Sequence, residues 1–314
     1  MTDDGGARAA GNGFPGRLAA RVAQRESQIV LGLDPDPSRL WPQAAGAVRA
    51  PDAGADAAAA AAVEAHCRAL IDAAGPACVA VKPQVACFER LGAPGWAALA
   101  RVAAHAAEAG LLVIADAKRG DIDVTAAAYA QGLLTGLDTP FGAVGGLRAD
   151  ATTVNPYLGA DALAPFADAA ARSGAGLFVL VRTSNPGAAD IEDLALAEGG
   201  TVWERVARLV DELGRAHDPG EPLSAIGAVM GATRPEHLAR ARELLPRAPF
   251  LLPGIGAQGG RVEDLAPAFA PGRAGGLVTA SRSIARAHEA SGEPPATAAR
   301  REAERLREAA WALV

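Results

Sequence analysis

At 314 residues, half of them apolar, the chain is long enough to bury one large core. A formal net charge of −6 and a pI near 5.5 leave no basic face for nucleic acid, so a ligand phosphate would have to be met by a local site. No stretch of about 18 residues is apolar and uncharged enough to span a membrane, and the N-terminus has no apolar leader, so a cytoplasmic protein with a small-molecule partner is expected.

Residues 1–13, acidic and glycine-rich, read as a disordered tail ahead of a single domain over 14–314. Short β-branched runs then alternate with longer Ala/Leu/Arg/Glu segments of helical period. The first four strands fall at Gln28–Asp34, Cys78–Gln84, Leu111–Lys118 and Ala151–Tyr157, and the last four at Gly176–Thr183, Ala225–Ala232, Phe250–Gln258 and Gly275–Arg282. Helices are expected over Ala57–Ala73, Pro94–Ala109, Asp161–Ser173, Val202–Ala216, Pro235–Leu245, Val262–Ala270 and Pro295–Val314. Segments Pro35–Asp56 and Gly132–Ala149 read as loop insertions. Eight strand–helix alternations point to a (β/α)8 TIM barrel. An open Rossmann-type sheet would want GxGxxG after its first strand, which is missing. Cys67, Cys78 and Cys87 have neither disulfide nor zinc-ligand spacing and read as small core fillers.

Of the 30 basic residues, only Lys82 and Lys118 are lysine. Arginine serves every merely solvated face of this chain, so the two ammonium groups mark places where a compact, proton-yielding cation is wanted. Both fall at the C-terminal ends of strands, where a TIM barrel builds its active site. Asp34, Gln84, Asp116, Asn155, Thr183-Ser184-Asn185, Gln258 and Ser281-Arg282 fall at strand ends too. Asp116 and Lys118, two apart on one strand, share a face toward the barrel mouth, and Asp121 follows in the loop. A structural buried ion cluster would sit lower in the strands. A Schiff-base lysine would want an apolar pocket, whereas flanking carboxylates keep Lys118 an ammonium able to donate a proton. The glycine-rich turn Pro253–Gly260 and the Ser281-Arg282-Ser283-Ile284 segment occupy the usual barrel phosphate site, with Arg282 as a bidentate clamp.

These segments resemble the orotidine 5′-phosphate decarboxylase family, specifically its longer bacterial subgroup (type 2). The resemblance runs from about Ala19 to Ile284 through seven motifs in order: Leu31-Gly32-Leu33-Asp34, Val81-Lys82-Pro83-Gln84, Asp116-Ala117-Lys118-Arg119-Gly120-Asp121-Ile122, Val154–Gly159, Arg182–Ala188, Pro253–Gly259 and Ser281–Ile284. It implies conversion of orotidine 5′-phosphate to uridine 5′-phosphate and CO2 in de novo pyrimidine biosynthesis, with no cofactor and no metal. It further implies that Lys118 stabilises and protonates a C6 carbanion, that Asp116 faces the departing carboxylate, and that Lys82 and Asp121 complete the charge network. Asp121 and Thr125 would reach into a partner subunit's site in a homodimer. Asp34 would bind ribose hydroxyl or pyrimidine groups, Ser184 the pyrimidine amide edge, and Gln258 and Arg282 the phosphate. Neither Asn155 nor the two insertions acquire a role from the resemblance.

Two other readings stand beside it. A Mg²⁺-dependent phosphosugar enzyme could share the DxKxxD strand, but those relatives carry a metal-binding carboxylate where this chain has Lys82. A lysine is all donor and cannot ligate Mg²⁺. The other is a catalytically dead barrel that only binds a phosphorylated ligand.

Overall fold

Short runs rich in valine, isoleucine and leucine, each bounded by glycine, proline or a polar turn, form the strands of the chain. The computed structural model describes residues 13–47, 54–218, 220–232, 234–255 and 259–314. Its strands are β1 (Ile29–Leu33), β2 (Ala80–Pro83), β3 (Leu112–Arg119), β4 (Leu137–Thr139), β5 (Gly142–Val144), β6 (Ala151–Val154), β7 (Gly176–Arg182), β8 (Ile226–Met230), β9 (Phe250–Leu252) and β10 (Gly276–Ala280). All but β4 and β5 are parallel neighbours in one closed barrel, in which β10 pairs back to β1. The eight expected strands are therefore the eight barrel strands, and the (β/α)8 architecture is as the alternation predicts.

The period-two alternation of a strand decides what enters the barrel. Val30, Ala80, Ile114, Ala151, Phe178 and Leu277 meet in one apolar cluster in its interior. Two residues further along the same faces stand Lys82, Asp116, Thr153 and Thr279, and two beyond those stand Asp34, Gln84, Lys118 and Ser281. The interior thus turns from apolar to charged toward the C-terminal mouth. The outward-facing residues pack under the surrounding helices. Along Ala55–Ala74, for example, Val63, Cys67, Leu70 and Ile71 recur at helical spacing and are buried in the second, larger cluster.

The other end of the barrel is closed by a helix absent from the sequence reading, Phe14–Arg25. Pro15 sits in its first turn, and Phe14, Leu18 and Val22 form an i, i+4, i+8 stripe that joins the interior cluster. The Phe14 and Phe178 rings meet edge to face, centroids 5.9 Å apart. A Cβ at Gly176 would lie 2.4 Å from the Phe14 ring, so the start of β7 needs glycine there. Burying each of these side chains contributes about 1.5–3 kcal/mol. The helix seals the end remote from the charged groups.

Three local expectations are corrected. Val262–Phe269 is a 3₁₀ helix rather than the expected α-helix, because Pro267 within it lacks an N–H and cannot continue an α ladder. The 132–149 insertion is a structured element, in which β4 and β5 pair as a hairpin after a π turn over Gln131–Thr135. The 35–56 insertion contains the short helix Pro42–Ala47 and runs into the helix beginning at Ala55. The tail assigned to 1–13 lies outside the described residues except for Gly13. Among the described residues no helix is long and apolar enough to cross a membrane.

Candidate active site

β2 and β3 are neighbours, and their alternation brings Lys82 and Asp116 together at the mouth. Lys82 Nζ donates to Asp116 Oδ2 at 2.5 Å, and Lys118 Nζ donates to Asp116 Oδ1, also at 2.5 Å. Gln84 Nε2 adds a third donor at 3.2 Å from Oδ2. Asp34, at the end of β1, stands 4.0 Å from Lys82 Nζ. The result is an alternating line of Asp34, Lys82, Asp116 and Lys118. The Lys82 side chain is 7% exposed and that of Lys118 is 42% exposed, so the second ammonium is the more open to a ligand.

Burial by itself would raise the Asp116 carboxyl, but the two lysine charges and their hydrogen bonds outweigh it and hold the group at about 2. Burial works against the Lys82 ammonium in the same way, and Asp116 with Asp34 reverses the effect and raises it. A buried pair of this kind is held by mutual attraction against a large desolvation cost, which makes each partner sensitive to loss of the other.

The local backbone explains how two residues of one strand both reach the carboxylate region. Ala115 pairs with Thr152 and Arg119 with Val154, so Asp116, Ala117 and Lys118 face the single residue Thr153 across a bulge. Lys118 adopts φ +48°, a left-handed conformation that costs a non-glycine residue about 1–2 kcal/mol. Thr153 is buried here; its Oγ1 accepts the Lys118 backbone N–H at 2.9 Å and donates to Asp116 Oδ1 at 2.9 Å.

Asp34, Lys82, Asp116 and Lys118 line an open cavity of about 620 Å³ that continues to Gly254 and Arg282 on the β9–β10 side. Arg282 opens the short helix Arg282–Ala285 after β10. Within the 35–56 insertion, Trp41 Nε1 donates to the Ala285 carbonyl at 2.9 Å and so ties the insertion to that helix. Gln258 lies outside the described residues.

The remaining expected residues are not brought to this cavity within one chain. Asp121 Oδ1 accepts the Ile122 N–H at 2.8 Å, and Asp121 is not among the residues lining the cavity. Thr125 is exposed on the helix Asp123–Ala130. Ser184 sits on the β7 loop, outside the cavity lining. That loop is anchored by Arg182, which opens the Arg182–Ala188 motif but was assigned no role there. Its Nε and Nη2 reach Asp193 Oδ1 and Oδ2 at 2.8 Å each, while the Thr183 N–H donates to Glu192 Oε2 at 2.8 Å. Asn155 accepts the Tyr157 N–H at 3.0 Å and shapes the β6 loop.

A closed parallel barrel with an ion line of two lysines and two carboxylates at its C-terminal mouth defines a (β/α)8-barrel enzyme with an acid–base site. The model of the orotidine 5′-phosphate decarboxylase / HUMPS family matches residues 27–300. A relative from Rhodopirellula baltica named orotidine 5′-phosphate decarboxylase is 40% identical over 279 residues, covering 88% of this chain and 89% of that protein. A relative of the same name from Deinococcus radiodurans is 48% identical over 217 residues, covering 68% and 74%. The solved structure of Leishmania donovani OMP decarboxylase superposes with a TM-score of 0.69 at 33% identity, covering 95% of this chain and 99% of that one. The chain belongs to the orotidine 5′-phosphate decarboxylase family, carboxy-lyases that act in pyrimidine biosynthesis.

Proposed function

We propose that this chain carries out the family's reaction without a cofactor, with Lys118 as the proton donor. The observation that carries the reading is the disposition of Lys118: its ammonium is held by Asp116 at 2.5 Å and yet opens on the cavity. Breaking the bond from C6 of orotidine 5′-phosphate to its carboxylate leaves an electron pair on C6 and releases CO2. No adjacent carbonyl delocalises that pair, so the site must stabilise it electrostatically. An ammonium about 4 Å from the developing charge interacts by about 4 kcal/mol at an effective dielectric near 20. The Lys118 Nζ proton then forms the new C6–H bond, giving uridine 5′-phosphate, and solvent reprotonates the amine. Asp116 lies beside the departing carboxylate in this reading, with Lys82 fixing Asp116. The donor-only Lys82 speaks against the Mg²⁺-dependent alternative.

Arg282 and Gln258 are assigned to the phosphate, Asp34 to the ribose or pyrimidine, and Ser184 to the pyrimidine amide edge. Remote phosphate binding can drive loop closure, so Arg282→Ala is expected to raise KM and also lower kcat, each by about 10-fold or more. Steady-state kinetics test this, and a rise in KM with kcat untouched would remove the coupling.

We infer that residues 14–314 act as one domain and that two copies share their active sites, Asp121 and Thr125 completing the partner's. Support comes from Asp121 lying outside the cavity lining of its own chain, with Oδ1 on the Ile122 N–H, and from exposed Ile122 and Val124 beside it. Mixing inactive Lys118→Ala chains with inactive Asp121→Ala chains should restore part of the wild-type activity through hybrid dimers. Mixtures as inactive as either parent, in chains shown to exchange, would sink the shared site. The three free cysteines, two of them buried, support work in the reducing cytoplasm, which cell fractionation tests.

A further inference from the structure

The bulge in β3 places the two residues that carry the proposed chemistry opposite one hydroxyl. Thr153 Oγ1 has a single proton. An ionised carboxylate can only accept, so that proton goes to Asp116 Oδ1, and the Thr153 lone pairs remain for the Lys118 backbone N–H. Lys118 Nζ returns to the same Oδ1. The bonds therefore close a circuit that runs from the Lys118 amide through Thr153 and Asp116 to the Lys118 ammonium.

Each link has a distinct consequence. The bond to the amide holds Lys118 in its left-handed conformation, where a regular strand would otherwise be preferred. The bond to Oδ1 fixes the rotation of the Asp116 carboxylate, and through it the place of the ammonium. Thr153 is also β-branched and fully enclosed, so its own χ1 is restricted and the hydroxyl has little freedom to leave the bridge. Its neighbour Thr152 donates to the Ala115 carbonyl at 3.0 Å, which secures β6 against β3 at the base of the bulge.

We propose that Thr153 is a positioning residue, which sets the Lys118 ammonium and the Asp116 carboxylate in the register that decarboxylation requires without touching substrate itself. This rests on the reading that Lys118 is the proton donor. Misplacement of a reacting group by about 1 Å costs about 10²-fold in rate, so the loss should fall on turnover rather than on substrate binding.

The test is a series at this one position, Thr153→Val and Thr153→Ser, with Thr153→Ala read in place of Thr153→Val if the valine variant does not fold. Valine keeps the shape and β-branch and deletes the hydroxyl, and serine keeps the hydroxyl. The expected result is a kcat lowered by about 10²-fold in the valine variant, KM for orotidine 5′-phosphate within about threefold of wild type, and recovery of most of the rate with serine. A hydroxyl-deleted variant with normal kcat, or a serine variant as slow as the valine one, would overturn the proposal, the latter by making the effect one of packing. Lys118→Ala run in parallel separates the two ideas. If Lys118→Ala retains activity, the proton-donor reading has failed; if it is inactive while Thr153→Val is normal, only the positioning role has.

Discussion

Lys118→Ala is expected to lower kcat on orotidine 5′-phosphate by at least about 10³-fold, because one side chain would lose both of its tasks. Proton donation by a positioned group contributes about 10²–10⁴-fold, and preorganised charge at the reacting atom contributes comparably. The variant keeps the Lys82 to Asp116 pair and the phosphate-side groups, so affinity for uridine 5′-phosphate should stay within about threefold of wild type. Rates from the fall in substrate absorbance, combined with product binding by calorimetry, separate the two quantities. A near-normal rate would remove Lys118 from its assigned role even with the family membership intact.

Asp116→Asn should affect both stability and rate. Asp116 accepts two ammonium groups, Gln84 and Thr153, and Lys82 beside it is buried. Removing the carboxylate charge leaves the buried Lys82 cation with only the Asp34 carboxylate, 4.0 Å away, against its desolvation, at a cost of about 3 kcal/mol. The Lys118 ammonium also loses its anchor, so kcat should fall by about 10²-fold or more. The wild-type pair carries a pH signature. The carboxyl sits at about 2 in the folded chain and near its ordinary 3.8 when unfolded. Its depressed folded value means that the carboxylate's stabilisation, about 2 kcal/mol, is fully present above about pH 4 and lost as the pH falls toward 2. The raised Lys82 gives the opposite limb, present below the ordinary lysine range and lost as the pH climbs through its folded value. Urea unfolding of wild type and Asp116→Asn between about pH 5 and pH 2.5 reads the acid limb. Equal acid sensitivity of the two chains would contradict the assigned role of the carboxylate.

The parts of this molecule visible in its sequence are those governed by one strand at a time. Short β-branched apolar runs mark the eight strands, and counting along them puts Lys82, Asp116 and Lys118 at strand ends, where the structure joins them. The use of lysine at only two positions carried the same message through composition. Relations between strands were hidden. Thr153 meets Asp116 because β3 bulges opposite β6, and no pattern in either segment alone specifies that slip in register. The Arg182 anchor likewise depends on a loop returning to its own strand end. The helix Phe14–Arg25 differs in kind, because its Phe14, Leu18 and Val22 stripe is written in the sequence itself. The β4–β5 hairpin was obscured because the glycines of Gly132–Ala149 read as a loop. Asp121 stands on a chemical motif, yet the partner it meets inside one chain is the Ile122 amide.

Decarboxylation is proposed to run on protein charges alone, in the line from Asp34 through Lys82 and Asp116 to Lys118. Its most direct test follows conversion of orotidine 5′-phosphate to uridine 5′-phosphate by absorbance, using purified chain dialysed against EDTA and assayed with EDTA present. Full activity, unchanged when Mg²⁺ is restored, is the predicted result. Activity that vanishes with EDTA and returns with Mg²⁺, or no turnover under either condition, would contradict it.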